Sequence, residues 1–128
     1  MDQLMQQPRR PSILIVEDDV SLLAALVFAL ETEGLMVYPF SRGGPLLSSP
    51  VHADCMVIDL RLPDMDGLAL ISRLREKGVW TPAILMTTNP DRRTRLLAES
   101  QGVQIVEKPL ITGELLACID QLLTANNR

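Results

Sequence analysis

Histidine and cysteine are almost missing from this chain: one histidine, His52, and two cysteines, Cys55 and Cys118, in 128 residues. The cysteines lie far apart inside apolar runs, with no CxxC and no Cys/His spacing, which excludes a zinc site and leaves them as buried thiols. There is no excess of positive charge either. Sixteen acidic against twelve basic residues give a net charge of −4, the wrong sign for a partner held through phosphate counterion release, so direct nucleic-acid binding is not expected. No apolar run approaches the ~18 residues that span a bilayer. The opening segment MDQLMQQPRRPS is polar and broken by proline where a secretion signal needs an apolar stretch. A reducing cytoplasm, without membrane contact, is the expected compartment.

What is present is the composition of one compact domain, 47% hydrophobic and 22% charged, with no room for a second. Four apolar runs of strand length each stop at a polar residue. Ile13-Leu14-Ile15-Val16 stops at Glu17-Asp18-Asp19, Cys55-Met56-Val57-Ile58 at Asp59, Ala83-Ile84-Leu85-Met86 at Thr87-Thr88, and Ile105-Val106 at Glu107-Lys108-Pro109. Continuous rather than alternating hydrophobicity predicts strands covered on both faces. Leu35 to Phe40 is a further strand.

Helical period fills the gaps. Asp19 is placed to cap a helix burying Val20, Leu23, Ala24, Val27 and Leu30 and ending at Gly34. Leu68, Ile71 and Leu74 lie between Gly67 and Gly78. Asp91 caps a helix through Leu96, Leu97 and Ser100 that ends at Gly102, and Thr112 caps the last, with a stripe of Leu115, Leu116, Ile119, Leu122 and Leu123. Residues 41–53, rich in Gly and Pro, leave space only for a short helix around Leu46 and Leu47. Five β-α repeats predict a doubly wound α/β domain over residues 12–124: a five-stranded parallel sheet with helices on both faces. Residues 1–11 read as a disordered arm, and 125–128 as a tail or the start of a linker.

In such sheets ligands gather at the carboxyl ends of the strands, where every polar stop above would lie. Two carboxylates ~4 Å apart repel by about 4 kcal/mol at an effective dielectric near 20, so Glu17, Asp18 and Asp59 together call for a cation. An all-oxygen set with room for water and phosphate suits Mg²⁺. An ionised aspartate needs no general base to attack phosphorus, which makes Asp59 the candidate nucleophile. Lys108 would pair with one phosphoryl oxygen and the Thr87 hydroxyl would hydrogen-bond another.

These four segments, with Val57-Ile58-Asp59-Leu60-Arg61-Leu62-Pro63-Asp64-Met65-Asp66-Gly67 as the longest, resemble the receiver domain of two-component response regulators from about Ser12 to Leu123. The resemblance implies a flavodoxin-like fold with strand order 2-1-3-4-5 and a phosphoacceptor signalling domain rather than an enzyme. Asp59 would take its phosphoryl group from a sensor histidine kinase or a histidine phosphotransfer protein. Mg²⁺ would be held by the side chains of Asp18 and Asp59 and the backbone carbonyl of Arg61, with Glu17 orienting metal-bound water. It also implies a cis Lys108-Pro109 bond and a loop shaped by Pro63 and Gly67. Thr87 would move on phosphorylation, altering the surface of the fourth helix, fifth strand and last helix, where a downstream target, an effector domain or a second copy would dock. Receivers usually carry an aromatic switch residue three positions before the motif lysine; here it is Ile105.

Bland roles compete for several residues. Asp64 and Asp66 read as turn formers ahead of Gly67, Arg92, Arg93 and Arg95 as a solvated run that is also the best docking candidate, and Trp80 as a half-buried loop residue. A dehalogenase-type hydrolase would share the aspartate, hydroxyl and lysine but needs a second aspartate where Arg61 stands. A mononucleotide binder would not place Glu17-Asp18-Asp19 in its phosphate loop.

Overall fold

A computed structural model describes residues 10–126 of the chain. The arm expected over residues 1–11 lies largely outside them, although Pro11 already joins the sheet, its carbonyl accepting the Met36 N–H at 2.9 Å. Strands β1 (Ser12–Val16), β2 (Met36–Phe40), β3 (Cys55–Asp59), β4 (Ala83–Thr87) and β5 (Gln104–Glu107) alternate with helices α1 (Val20–Thr32), α2 (Gly44–Ser48), α3 (Gly67–Glu76), α4 (Arg92–Ser100) and α5 (Thr112–Asn126). All neighbouring strands are parallel, in the order β2-β1-β3-β4-β5.

The period of two along each strand divides the core into two layers. Leu14, Val16, Met56, Ile58 and Leu85 face α2, α3 and α4, where they meet Leu46, Leu70, Ile71, Leu74 and Ala98. Ile13, Ile15, Cys55, Val57, Ile84, Met86 and Val106 face α1 and α5, against Leu26, Leu30, Leu115 and Ile119. The three central strands are therefore buried on both sides. Each fully buried Leu or Ile there contributes about 1.5–3 kcal/mol relative to exposure.

Caps and stops follow the sequence closely. Asp19 and Asp91 accept backbone N–H bonds from the first turns of α1 and α4 as expected, Asp66, read as a turn former, caps α3 in the same way, and α1, α3 and α4 each give way to a glycine at positive φ, Gly34, Gly78 and Gly102. Other expectations are corrected. On α1 the buried residues are Leu26 and Leu30, with Leu22 and Leu23 packed beside them, while Val20 and Ala24 are exposed. Val20 opens the helix beyond the ends of the strands, with no sheet beneath it. Helix α4 runs where expected, with only Ala98 buried and Leu96 and Leu97 exposed, because it covers β5, an edge strand that is itself half-open. Thr112 is the first helical residue of α5 rather than its cap. Trp80 is 72% exposed, with the Arg75 guanidinium 5.7 Å from its ring centre. The last helix continues to Asn126, two residues past the expected boundary. No helix among the described residues is long and apolar enough to cross a membrane.

Candidate functional site

The site grows out of strand ends. Each central strand is an apolar run that the core holds in place, so the first polar residue after it arrives at the carboxyl edge at a fixed height. Glu17 follows β1 directly and is 1% exposed, Asp59 closes β3 at 6%, and Thr87 closes β4 at 3%. They are the buried polar side chains among the described residues. Asp18 projects from the same edge into solvent. Carboxylate oxygens of Glu17, Asp18 and Asp59 all lie within 4.8 Å of one another.

Lys108, just past β5, reaches into this cluster. Its Nζ donates to Glu17 Oε1 at 2.9 Å and stands 3.3 Å from Asp59 Oδ1, while its backbone N–H donates to the Thr87 carbonyl at 2.8 Å. The other oxygen of Glu17, Oε2, accepts the Asp19 N–H at 3.0 Å. The Lys108-Pro109 peptide is cis.

One ammonium does not neutralise three carboxylates. Burial pushes the Glu17 carboxyl up from its ordinary range, and the Lys108 and Asp19 hydrogen bonds offset this only in part. Burial pulls Lys108 down, but the Glu17 hydrogen bond and the Asp59 charge outweigh it and hold the ammonium above its ordinary value. A pocket of hard oxygens short of positive charge, with no histidine or cysteine in it, fits Mg²⁺ and does not fit zinc.

The loop after Asp59 is pinned at both ends. Leu60 N–H donates to the Met86 carbonyl at 2.9 Å, and Gly67 N–H donates to the Leu60 carbonyl at 2.7 Å. Arg61, whose carbonyl is the expected fourth oxygen, forms a backbone bridge with Asp66 and has an exposed side chain. Gly67 is needed for close approach: a Cβ there would lie 2.3 Å from the Asp59 carbonyl oxygen. Ile105 pairs with Leu85 in register and packs, half-buried, on the α3–α4 side of the sheet. Thr87 follows Leu85 by two residues and so faces the same side. Arg95 of the basic run pairs with Glu107, the strand partner of Thr87, at 3.1 Å.

Sequence reasoning missed one connection. Asp64, read as a turn former, accepts the Gly43 N–H at 3.0 Å and the Gly44 N–H at 2.7 Å. These bonds, chiefly the one from Gly43, hold its carboxyl below the ordinary range. No local spacing signals a contact between residues some twenty positions apart.

Residues 13–120 match the family model described as the response regulator receiver domain. The chain belongs to that family, whose members are phosphoacceptor signalling domains of two-component systems rather than classical enzymes. It is 30% identical over 119 residues to the DNA-binding transcriptional regulator NtrC of Proteus hauseri, covering 91% of this chain and 25% of that protein. It is 34% identical over 118 residues to the transcriptional regulatory protein BasR of Escherichia coli K12, covering 90% of this chain and 53% of that one. Among solved structures, the BeF3-activated DrrB receiver domain superposes with a TM-score of 0.81 at 26% identity, over 91% of this chain and 99% of that chain. The chain thus spans about a quarter of the first of these regulators and about half of the second.

Proposed function

We propose that Asp59 accepts a phosphoryl group from the phosphohistidine of a sensor histidine kinase or a histidine phosphotransfer protein, in a Mg²⁺-dependent reaction. The carrying observation is the convergence of Glu17, Asp18 and Asp59 oxygens within 4.8 Å, with Lys108 Nζ 3.3 Å from Asp59 Oδ1. An Asp59 oxygen attacks phosphorus, the phosphorus–nitrogen bond breaks, and the imidazole leaves with the electron pair. Asp18, Asp59 and the Arg61 carbonyl would hold the metal, with Glu17 behind them. When bound, Mg²⁺ supplies positive charge against the transferring phosphoryl oxygens.

The chain's own groups do the rest. Lys108 leaves its carboxylate partners to pair with a phosphoryl oxygen, and the Thr87 hydroxyl donates to another. Movement of Thr87 shifts the ends of β4 and β5 and with them the α4–β5–α5 face, which presents Leu96, Leu97 and the Arg92, Arg93 and Arg95 run to an effector domain, a separate target or a second copy of the chain. Ile105 replaces the aromatic ring usual at its position, so Thr87 and the Arg95–Glu107 pair carry the coupling. The DNA binding in the NtrC name belongs to that protein; a net charge of −4 argues that here it lies outside this domain.

The test is incubation with a small phosphodonor, with and without Mg²⁺, followed by intact-mass measurement. Wild type should gain one acid-labile phosphate only with the metal, and Asp59→Ala none. Equal labelling of the two proteins would remove Asp59 from its role.

A further inference from the structure

The Asp59–Gly67 loop is anchored at its ends by backbone bonds and narrowed by the Arg61–Asp66 bridge, yet beyond that bridge its tip, residues 62–65, has few ties of its own. The Leu62 N–H to Met65 carbonyl bond spans a long 3.3 Å. Among the described residues, the only side-chain hydrogen bonds from residues 61–65 to another element are those of Asp64 to Gly43 and Gly44. Both carboxylate oxygens are used, one per amide, which fixes the orientation of the carboxylate as well as its distance. Packing supports the same contact. A Cβ on Gly43 would come within 2.8 Å of Met65 Sδ, and one on Gly44 within 3.1 Å of Asp64 Oδ2, so glycine at both positions lets the loop settle against the start of α2.

We propose that Asp64 is a positioning residue for the phosphoacceptor site: by fastening the loop to Gly43 and Gly44 it holds the Arg61 carbonyl at the height the metal requires. This rests on the proposed Mg²⁺-dependent chemistry at Asp59. Asp64 touches neither metal nor phosphate and acts through Leu62 and Pro63, the two residues between it and Arg61. The same link makes α2, otherwise remote from the proposed output face, sensitive to whether the metal site is filled.

The experiment compares wild type with Asp64→Ala, Asp64→Asn and Asp91→Ala by Mg²⁺ titration, phosphorylation from a small phosphodonor across Mg²⁺ concentrations, and thermal unfolding. Asp91→Ala is the control, since it removes another helix-capping carboxylate away from the loop. Loss of an outer partner of a metal site typically weakens binding 10–100-fold; for a backbone ligand held at one remove we expect about tenfold in Asp64→Ala. Phosphorylation should slow at low Mg²⁺ and return to the wild-type rate at saturation. Asp64→Asn, which keeps one acceptor oxygen, should recover most of the affinity, and Asp91→Ala should bind as wild type does. In wild type the Gly43 and Gly44 amide resonances should shift along the same isotherm as metal binding, a measurement that does not depend on any variant folding. Unmoved amides, or an Asp64→Ala affinity within about twofold of wild type, would overturn the inference. So would equal weakening in the Asn and Ala variants, which would assign the effect to charge alone. Wild type that neither binds Mg²⁺ nor takes phosphate on Asp59 would instead overturn the underlying function, and the inference with it.

Discussion

Replacing Gly67 with alanine puts a methyl group where the chain has no slack. Its Cβ would meet the Asp59 carbonyl oxygen at 2.3 Å and the Asp59 carbonyl carbon and Leu60 Cα at 3.0 Å each. All three are backbone atoms of the proposed phosphoacceptor and the residue after it, so no side-chain rotation relieves the clash. A carbon–oxygen contact needs about 3.3 Å, so about 1 Å must open between the end of β3 and the start of α3. Overpacking of this kind costs about 1–3 kcal/mol. The shift also strains the 2.7 Å bond from Gly67 N–H to the Leu60 carbonyl, worth about 1 kcal/mol net, and disturbs the Asp66 cap, worth about another 1 kcal/mol. Alanine's better helix propensity returns at most about 1 kcal/mol.

The net expectation is a loss of about 2–4 kcal/mol and a fall in Tm on the order of 10 °C. Two other glycines calibrate it. Gly34→Ala meets no atom within 4 Å but sits at φ +87°, so it should lose only about 1–2 kcal/mol from the left-handed backbone. Gly113, in the first turn of α5, has open space around it, and Gly113→Ala should be neutral or gain up to about 1 kcal/mol. Thermal and urea unfolding of the three variants and wild type give the order directly. If Gly67→Ala unfolds no earlier than Gly34→Ala, the claim that backbone crowding holds the β3–α3 junction is wrong.

Two further expectations concern charge. Lys108→Ala leaves Glu17 and Asp59 facing each other without their ammonium; breaking a buried pair costs about 3–5 kcal/mol, less here because the lysine side chain is 20% exposed. Without Mg²⁺ the variant should be about 2–3 kcal/mol less stable than wild type, Mg²⁺ should raise its Tm by more than it raises that of wild type, and phosphorylation should stay slow with the metal present. Equal metal-free stability of the two proteins would refute this. Asp64 and Asp91 are held below their ordinary 3.8, chiefly by the Gly43 and the Thr94 backbone N–H bonds respectively. Their stabilisation is present above that value and is lost as pH falls through the lowered folded values. The unfolding curves of wild type and Asp91→Ala should therefore differ at neutral pH and converge in acid; a constant gap across the titration would contradict the cap assignment.

How much of this was written locally follows from how far each interaction reaches along the chain. Central strands were legible because a strand buried on both faces has to be apolar throughout, and β1, β3 and β4 announce themselves as Ile13-Leu14-Ile15-Val16, Cys55-Met56-Val57-Ile58 and Ala83-Ile84-Leu85-Met86. Caps and stops were legible because Asp19, Asp91, Gly34 and Gly102 act on backbone within a few residues of themselves. The acidic cluster was legible for a related reason: once the strands are parallel, residues that follow them share one edge, and Glu17, Asp18 and Asp59 meet there whatever the details of the helices.

The sequence alone therefore determined the element order, the central strands and the company of the five candidate groups, since period and local capping are short-range physics. Tertiary structure alone decided the orientation of α1, which exposes Val20 and Ala24, and the openness of α4 over the half-covered edge strand β5. It also placed Trp80 in solvent under the Arg75 guanidinium. The tie from Asp64 to Gly43 and Gly44 belongs to the same group, because two amides and a carboxylate twenty residues apart become partners only when packing of the sheet brings their loops together.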